Sequence, residues 1–186
     1  MLALCDKIIK ILSYKGCTDN ELYENVVSKV VESNPTENSC AGFAKMLDKH
    51  GKPDEAVTYY EKAISMAEAD TMKSAYNLAI AAIYTSKKAY TSAASYARRA
   101  IAQNPNNGTA YIILATSYAA VPVGEDAYER SLTYWVVIDK LQKAKAVDPS
   151  VSATANKLIG QYIGACPKKE EAFMHGVTPG TPVTVG

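Results

Sequence analysis

The chain has 186 residues, with 20 Lys and Arg against 19 Asp and Glu and a formal net charge of +1. Its 48% hydrophobic and 21% charged content is typical of globular domains. Because a nearly neutral chain lacks the basic excess of nucleic-acid binders, we expect no nucleic-acid partner. No apolar run approaches the roughly 18 residues that span a bilayer, so we expect no transmembrane segment.

Turn-forming residues divide the sequence into segments that are rich in helix formers, most of them about 13–25 residues long. The breaks fall at residues 16–20, 34–35, 51–53, 69–71, 104–108, 122–124 and 148–150. Between them, apolar residues recur at helical spacing, as Tyr60, Ala63 and Ile64 illustrate. The segments therefore predict a string of antiparallel helix pairs.

The helix pairs repeat. Their first helices share one template, seen in Phe43-Ala44-x2-Leu47, Ile80-Ala81-x2-Tyr84, Leu114-Ala115-x2-Tyr118 and Leu158-Ile159-x2-Tyr162. Their second helices share another, seen in Ala56-x3-Tyr60-x2-Ala63, Ala93-x3-Ala97-x2-Ala100 and Val137-x3-Leu141-x2-Ala144, with Tyr23-x3-Val27-x2-Val30 as a degenerate leading copy. Small residues let helices approach closely and large ones fill the space between them.

This pattern resembles the tetratricopeptide repeat (TPR), a helix–turn–helix unit of about 34 residues. The resemblance implies an all-α, TPR-like α-solenoid, a right-handed superhelix of antiparallel helix pairs with a concave groove. It predicts an array over residues 1–175, with repeats at roughly 1–35, 36–70, 71–106, 107–149 and 150–175. Residues 176–186 are expected to form a short extended tail. No Trp opens any first helix, which departs from the family pattern.

The resemblance also implies a non-catalytic scaffold that binds a protein or peptide through the concave groove. First-helix residues that face away from the second helices are the candidate binding residues: Asn38, Lys45, Asp48, Leu78, Thr85, Ile112 and Thr116. Some TPR proteins clamp a chaperone's terminal carboxylate with Lys, Asn and Arg, but only Asn38 and Lys45 are of that type. The groove is better suited to an extended peptide or a partner helix. An alternative is that the chain's own tail fills part of it.

An insertion of about ten residues separates Tyr118 from Val137, and good helix formers follow Glu125. The second helix of this repeat is therefore expected to begin early and to project by roughly 15 Å. Tyr128, Leu132 and Trp135 fall on one stripe of it. They either pack on the terminal repeat or the tail, or form a partner contact.

No nucleotide-binding, hydrolase or metalloprotease motif occurs, so we expect no enzyme, no cofactor and no metal site. The four cysteines form no C-x-x-C pair and are interpreted as buried or half-buried thiols that act as small hydrophobic residues. A disulfide such as Cys5–Cys17 remains an alternative in an oxidising compartment.

Residues 181–186 read as the start of a strand. With this tail, the sequence resembles the C-terminal region of uncharacterised, exported TPR proteins of anaerobic Gram-negative bacteria. That resemblance implies a fragment of a longer protein, located in the cell envelope or periplasm if a signal sequence lies upstream and in the cytoplasm otherwise. It leaves a second function open, a structural component of the envelope that self-assembles into homo-oligomers through the tail.

Overall fold

Ten α-helices follow one another in the computed structural model, which describes residues 2–18 and 20–177. They are α1 (Leu2–Tyr14), α2 (Glu21–Ser33), α3 (Glu37–Lys49), α4 (Pro53–Met66), α5 (Asp70–Ser86), α6 (Tyr90–Gln103), α7 (Gly108–Ala120), α8 (Ala127–Val147), α9 (Ser152–Tyr162) and α10 (Lys169–Met174). Two 3₁₀ turns, Pro149–Val151 and Ile163–Ala165, flank α9. The described residues contain no strand, and the predicted all-α architecture of helical hairpins is confirmed.

Polar side chains cap the helices where the sequence predicts breaks. Asn20 Oδ1 accepts a hydrogen bond from the Tyr23 amide at 2.9 Å. Thr36 and Ser39 form a reciprocal capping box at the start of α3. Such caps stabilise helices because the first turn has amide groups without partners in the helix itself.

Four of the helices end in the same backbone conformation. Gly16, Gly51, Lys88 and Gly176 all have positive φ, at +69°, +75°, +58° and +73°. The amide of the residue after each donates to a carbonyl five residues back, as in Lys52 to Leu47 at 2.9 Å and Ala89 to Tyr84 at 2.9 Å. This is the Schellman motif, in which glycine is favoured because a Cβ is strained at positive φ. Lys88 is the one non-glycine residue among the four.

The chain divides into two compact units between Tyr76 and Asn77, within α5. In the first unit, α3 and α4 pack through the buried residues Cys40, Phe43, Ala44, Leu47, Ala56, Val57, Tyr60 and Ala63. Phe43 meets the Tyr59 ring edge-on at 4.7 Å. Tyr76 Oη donates to Glu37 Oε1 at 2.8 Å, and burial followed by this carboxylate raises the pKa of Tyr76 to about 12.

The second unit contains two apolar clusters, each formed where successive helices of the chain meet. The first joins α5, α6 and α7 through Ala81, Ala94, Ala97 and Leu114. The second joins α7 and α8 through Ala115, Val137 and Leu141, and α9 packs on it with Leu158, Ile159 and Tyr162. Alanines and larger residues thus occupy the positions at which the sequence pattern places them.

The insertion forms a loop and a lengthened helix. α8 has 21 residues where α4 and α6 have 14 each, and Asp126 caps its start by accepting from the Glu129 amide at 2.8 Å. The seven added residues lengthen α8 by about 10 Å, less than the expected 15 Å, because part of the insertion is loop. The buried Thr133 hydroxyl accepts from the Val123 amide at 3.1 Å and donates to the Val123 carbonyl at 3.3 Å, which ties this loop to the helix.

Most of the expected tail lies outside the described residues, which end at Val177. The structure therefore describes neither its strand nor pairing through it. The four cysteines have free thiols. Cys5 and Cys40 are buried and Cys166 is half-buried, but the expectation is wrong for Cys17, which is exposed. No helix in the described ranges is long and apolar enough to cross a membrane.

Replacing Lys88 by glycine should stabilise the protein by about 1 kcal/mol, because glycine removes the strain of a Cβ at positive φ. Urea unfolding followed by circular dichroism measures the change. Lys87→Gly is the matched control, since it removes a neighbouring lysine without relieving a positive φ. Equal effects of the two substitutions would contradict this account of the turn.

Gly108→Ala should destabilise the protein by about 1–3 kcal/mol. A Cβ at this position would lie 2.6 Å from Asp148 Cβ and 3.0 Å from the Ala144 carbonyl oxygen. Gly160→Ala in α9 has open space around its Cβ and should instead stabilise by about 0.5–1 kcal/mol through helix propensity. Thermal unfolding of both variants distinguishes a steric effect from a general effect of glycine.

Candidate functional site

A groove of about 840 Å³ opens in the first unit between α2 and α3. Val27, Val30 and Val31 line it from α2, and Phe43 and Met46 line it from α3. Only part of this apolar surface is covered, since Val27, Val30 and Met46 are half-buried. The groove therefore offers an apolar floor to a ligand.

The rim of the groove is polar. Asn38, Lys45, Asp48 and Lys49 line it and are exposed on the face of α3 opposite its buried residues. An asparagine amide can both donate to and accept from a peptide main chain, and the lysines can pair with carboxylates. The structure thus brings together three of the predicted site residues, Asn38, Lys45 and Asp48, along one groove.

Glu24, His50 and Lys52 form a cluster of polar contacts beside this groove, which His50 also lines. His50 Nδ1 lies 3.1 Å from Glu24 Oε2, and Lys52 Nζ contacts Glu24 Oε1. Hydrogen bonding by Lys52, more than that by His50, holds the pKa of Glu24 below its usual value, against the opposing effect of burial. These contacts connect α2 to the turn between α3 and α4, so they position the two walls of the groove.

The four other predicted groove residues, Leu78, Thr85, Ile112 and Thr116, belong to the second unit and are half-buried. The Thr85 hydroxyl donates to the Ala81 carbonyl at 2.8 Å, and Thr116 Oγ1 lies 3.0 Å from the Ile112 carbonyl oxygen. Ile112 packs against the cluster of Ala115, Val137 and Leu141. Both threonine hydroxyls thus donate their protons within their own helices. Their oxygens can still accept hydrogen bonds from a ligand.

Tyr128, Leu132 and Trp135 on α8 are all half-buried. The Tyr128 ring stacks on the His175 ring beyond α10, with centroids 3.8 Å apart and planes 10° apart. Desolvation, followed by the negative charge of Glu171, raises the pKa of Tyr128. For Tyr128 this contact corresponds to packing on the C-terminal segment, one of the two alternatives that the sequence left open.

Sequence reasoning missed the α2 wall and the Glu24 cluster. The repeat pattern assigns Val27 and Val30 to the core, at the positions of Tyr60 and Ala63, but here they line the groove. The signal that could have revealed this is the small size of Val27 relative to Tyr60, which indicates an incompletely filled first hairpin. Among the described residues, no group of three or more His, Cys, Asp and Glu could hold a metal ion.

Comparison with known proteins agrees with this architecture. Residues 38–70, which span the α3–α4 hairpin, match the family model of the tetratricopeptide repeat. A search of curated protein sequences finds no match. Among solved structures, 46 chains match.

Three of these structures cover most of the chain. "MamA RS-1 ArsTM double mutant" has 16% identity and a TM-score of 0.58, covering 88% of this chain and 91% of its own. "MamA 41-end from Desulfovibrio magneticus RS-1" has 17% identity and a TM-score of 0.56, with the same coverage. "Crystal structure of MamA protein" has 15% identity and a TM-score of 0.53, covering 95% of this chain and 96% of its own.

The chain has the tetratricopeptide-repeat fold. The groove lies between α2 and α3, and α3 belongs to the hairpin that matches the repeat model. TPRs are in general protein-interaction modules, and repeats of this kind present extended surfaces to their partners.

Glu24→Gln should make the stability of the first unit less dependent on pH. Because the folded-state pKa of Glu24 is lowered, its ion pairs contribute above its ordinary value of 4.5 and are lost as pH falls through the depressed pKa. Wild-type protein should therefore lose more unfolding free energy between pH 6 and pH 3 than the variant does. Urea unfolding at both pH values measures this, with Glu68→Gln, an exposed glutamate of the same unit, as the control. Equal losses of unfolding free energy between pH 6 and pH 3 in Glu24→Gln and in wild type would contradict this prediction.

Proposed function

We propose that this chain is a protein-interaction scaffold that binds an extended segment of a partner protein in the groove between α2 and α3. The observation that carries the proposal is the combination of an open apolar floor with Asn38 and Lys45 exposed on its rim. A volume of about 840 Å³ suits several side chains of a peptide.

The chemistry of the groove defines the segment that it fits. Apolar side chains of the ligand would contact Val27, Val30 and Met46, where burial of apolar surface supplies affinity. The Asn38 amide would satisfy polar groups of the ligand main chain, which would otherwise lose hydrogen bonds with water. Lys45 on the rim can pair with a carboxylate, so a segment with both apolar and acidic residues is favoured.

The structural relatives support the proposal at the level of fold only, since they share 15–17% of residues with this chain. The further candidates Leu78, Thr85, Ile112 and Thr116 extend the same proposal to the first helices of the second unit. Their half-burial leaves part of each side chain for a ligand.

A peptide selected from a phage-displayed random library against the immobilised protein provides the probe. Asn38→Ala and Lys45→Glu should each weaken its binding about 5- to 30-fold, which corresponds to one or two lost polar contacts. Fluorescence anisotropy of the labelled peptide measures the dissociation constants.

Lys29→Glu is the matched control, because Lys29 is an exposed lysine of α2 that does not line the groove. It should change the affinity by no more than about twofold. Peptides that bind wild type and both groove variants equally would exclude this groove as the binding site.

A further inference from the structure

Gly42 lies in the middle of α3, where glycine is an unfavourable residue. A helix is less stable with glycine than with alanine at an interior position, because glycine loses more backbone freedom on folding. The fold itself does not require a glycine here. Gly42 has no positive φ. Apart from its chain neighbours and its own helix backbone, no described atom lies within 4 Å of a Cβ placed on it.

The other described glycines divide into two groups. Four of them have positive φ, and Gly108 is so closely packed that an added Cβ would collide with its surroundings. Gly160 and Gly164 have open space around an added Cβ, as Gly42 has, but they belong to the second unit and do not line the groove. Of these three glycines with open space, only Gly42 is both exposed and part of the groove between α2 and α3.

The position of Gly42 on α3 places it between two groups that the proposed ligand contacts. Asn38 precedes it by four residues and Met46 follows it by four, so the three residues lie on one face of the helix in successive turns. All three line the groove, and Val27 and Val30 line it from α2. Because Gly42 has no side chain, a ligand can approach the backbone of α3 more closely here than at Asn38 or Met46.

We infer that Gly42 is the point at which the main chain of the bound segment crosses α3. The inference rests on the proposed function, because it concerns a segment bound in the same groove. A main chain that hydrogen-bonds to the Asn38 amide lies within about 3 Å of that side chain, and one turn further along α3 it meets Gly42. Glycine allows another backbone to approach closely, whereas a Cβ at this position would occupy the space of the ligand main chain.

The chemistry of the groove favours the main chain over a side chain of the ligand at this point. A glycine offers little apolar surface, so an apolar side chain placed on it would gain little from burial. Such side chains gain more on Val27, Val30 and Met46. A polar main chain needs hydrogen-bond partners when it leaves water, and Asn38 supplies both a donor and an acceptor beside Gly42.

The test uses a library-selected peptide whose binding to the full chain is weakened by Asn38→Ala and by Lys45→Glu. Gly42→Ala should weaken its binding at least about fivefold, and Gly42→Leu at least about 30-fold, because the added side chain takes up space that the ligand needs. Fluorescence anisotropy measures both affinities. Gly42→Ala should at the same time raise Tm by about 1–4 °C through helix propensity, so that weaker binding cannot come from unfolding.

Two controls separate the added volume from other effects of losing a glycine. Gly160→Ala should raise Tm similarly and keep the affinity within about twofold of wild type. Ala41→Gly combined with Gly42→Ala keeps one glycine in α3 but moves it to a residue that does not line the groove. This double variant should bind as weakly as Gly42→Ala. Recovery of wild-type affinity in it would assign the effect to helix flexibility and overturn the inference.

Alanine scanning of the peptide distinguishes a main-chain contact from a side-chain contact. Each peptide variant is measured against wild type and against Gly42→Ala, which gives a double-mutant cycle for every ligand side chain. No single truncation should restore binding to Gly42→Ala, because a main chain cannot be shortened in this way. If one truncation did restore it, that ligand side chain would occupy the space at Gly42, and the inference would be wrong.

The same measurements separate failure of this inference from failure of the proposed function. Unchanged affinity in Gly42→Ala and Gly42→Leu, with binding still weakened by Asn38→Ala and Lys45→Glu, would overturn the inference and leave the groove as the binding site. Selected peptides that bind all four variants as tightly as wild type would overturn both.

Discussion

The helices of this protein depend on contact with other helices, because most are too short to be stable alone. Eight of the ten have 14 residues or fewer, within or below the range of roughly 12–15 residues at which an isolated helix is marginal. The other two are α5, with 17 residues, and α8, with 21. Close approach is made possible by fully buried alanines such as Ala44, Ala63 and Ala97. Large residues such as Leu47 and Ile80 then fill the space that remains.

The candidate groove follows from a place where this filling is incomplete. Val27 and Val30 occupy positions equivalent to Tyr60 and Ala63, but they stay half-buried instead of closing against α3. The polar contacts of Glu24 with His50 and Lys52 hold the two walls where apolar packing does not. Incomplete packing in one hairpin therefore leaves the apolar surface on which the proposed binding depends.

Much of the fold can be predicted from the sequence, because helix ends and core positions depend on local chemistry. The breaks at residues 51–53 and 104–108 contain Gly, Pro and Asn, which have specific backbone preferences, and the helices end there. The turn after α5 carries no such signal, because Lys88 adopts a glycine conformation, and the sequence pattern did not mark it. The contribution of α2 to the groove was missed because a repeat pattern identifies equivalent positions but not how closely neighbouring hairpins pack.

The first hairpin gives the groove a dynamic character. Among the described side chains of α1 and α2, only Cys5, Val26 and Val31 are buried, while Leu4 and Ile11 remain 62% and 61% exposed. A wall with so little buried surface opens at low free-energy cost, so exchange of its amide hydrogens should be faster than in α3 and α4. The affinity of any ligand is then scaled by the fraction of molecules in which this hairpin is docked, and occupancy of the groove in turn holds the hairpin in place. Ligand binding and docking of this hairpin are therefore thermodynamically linked.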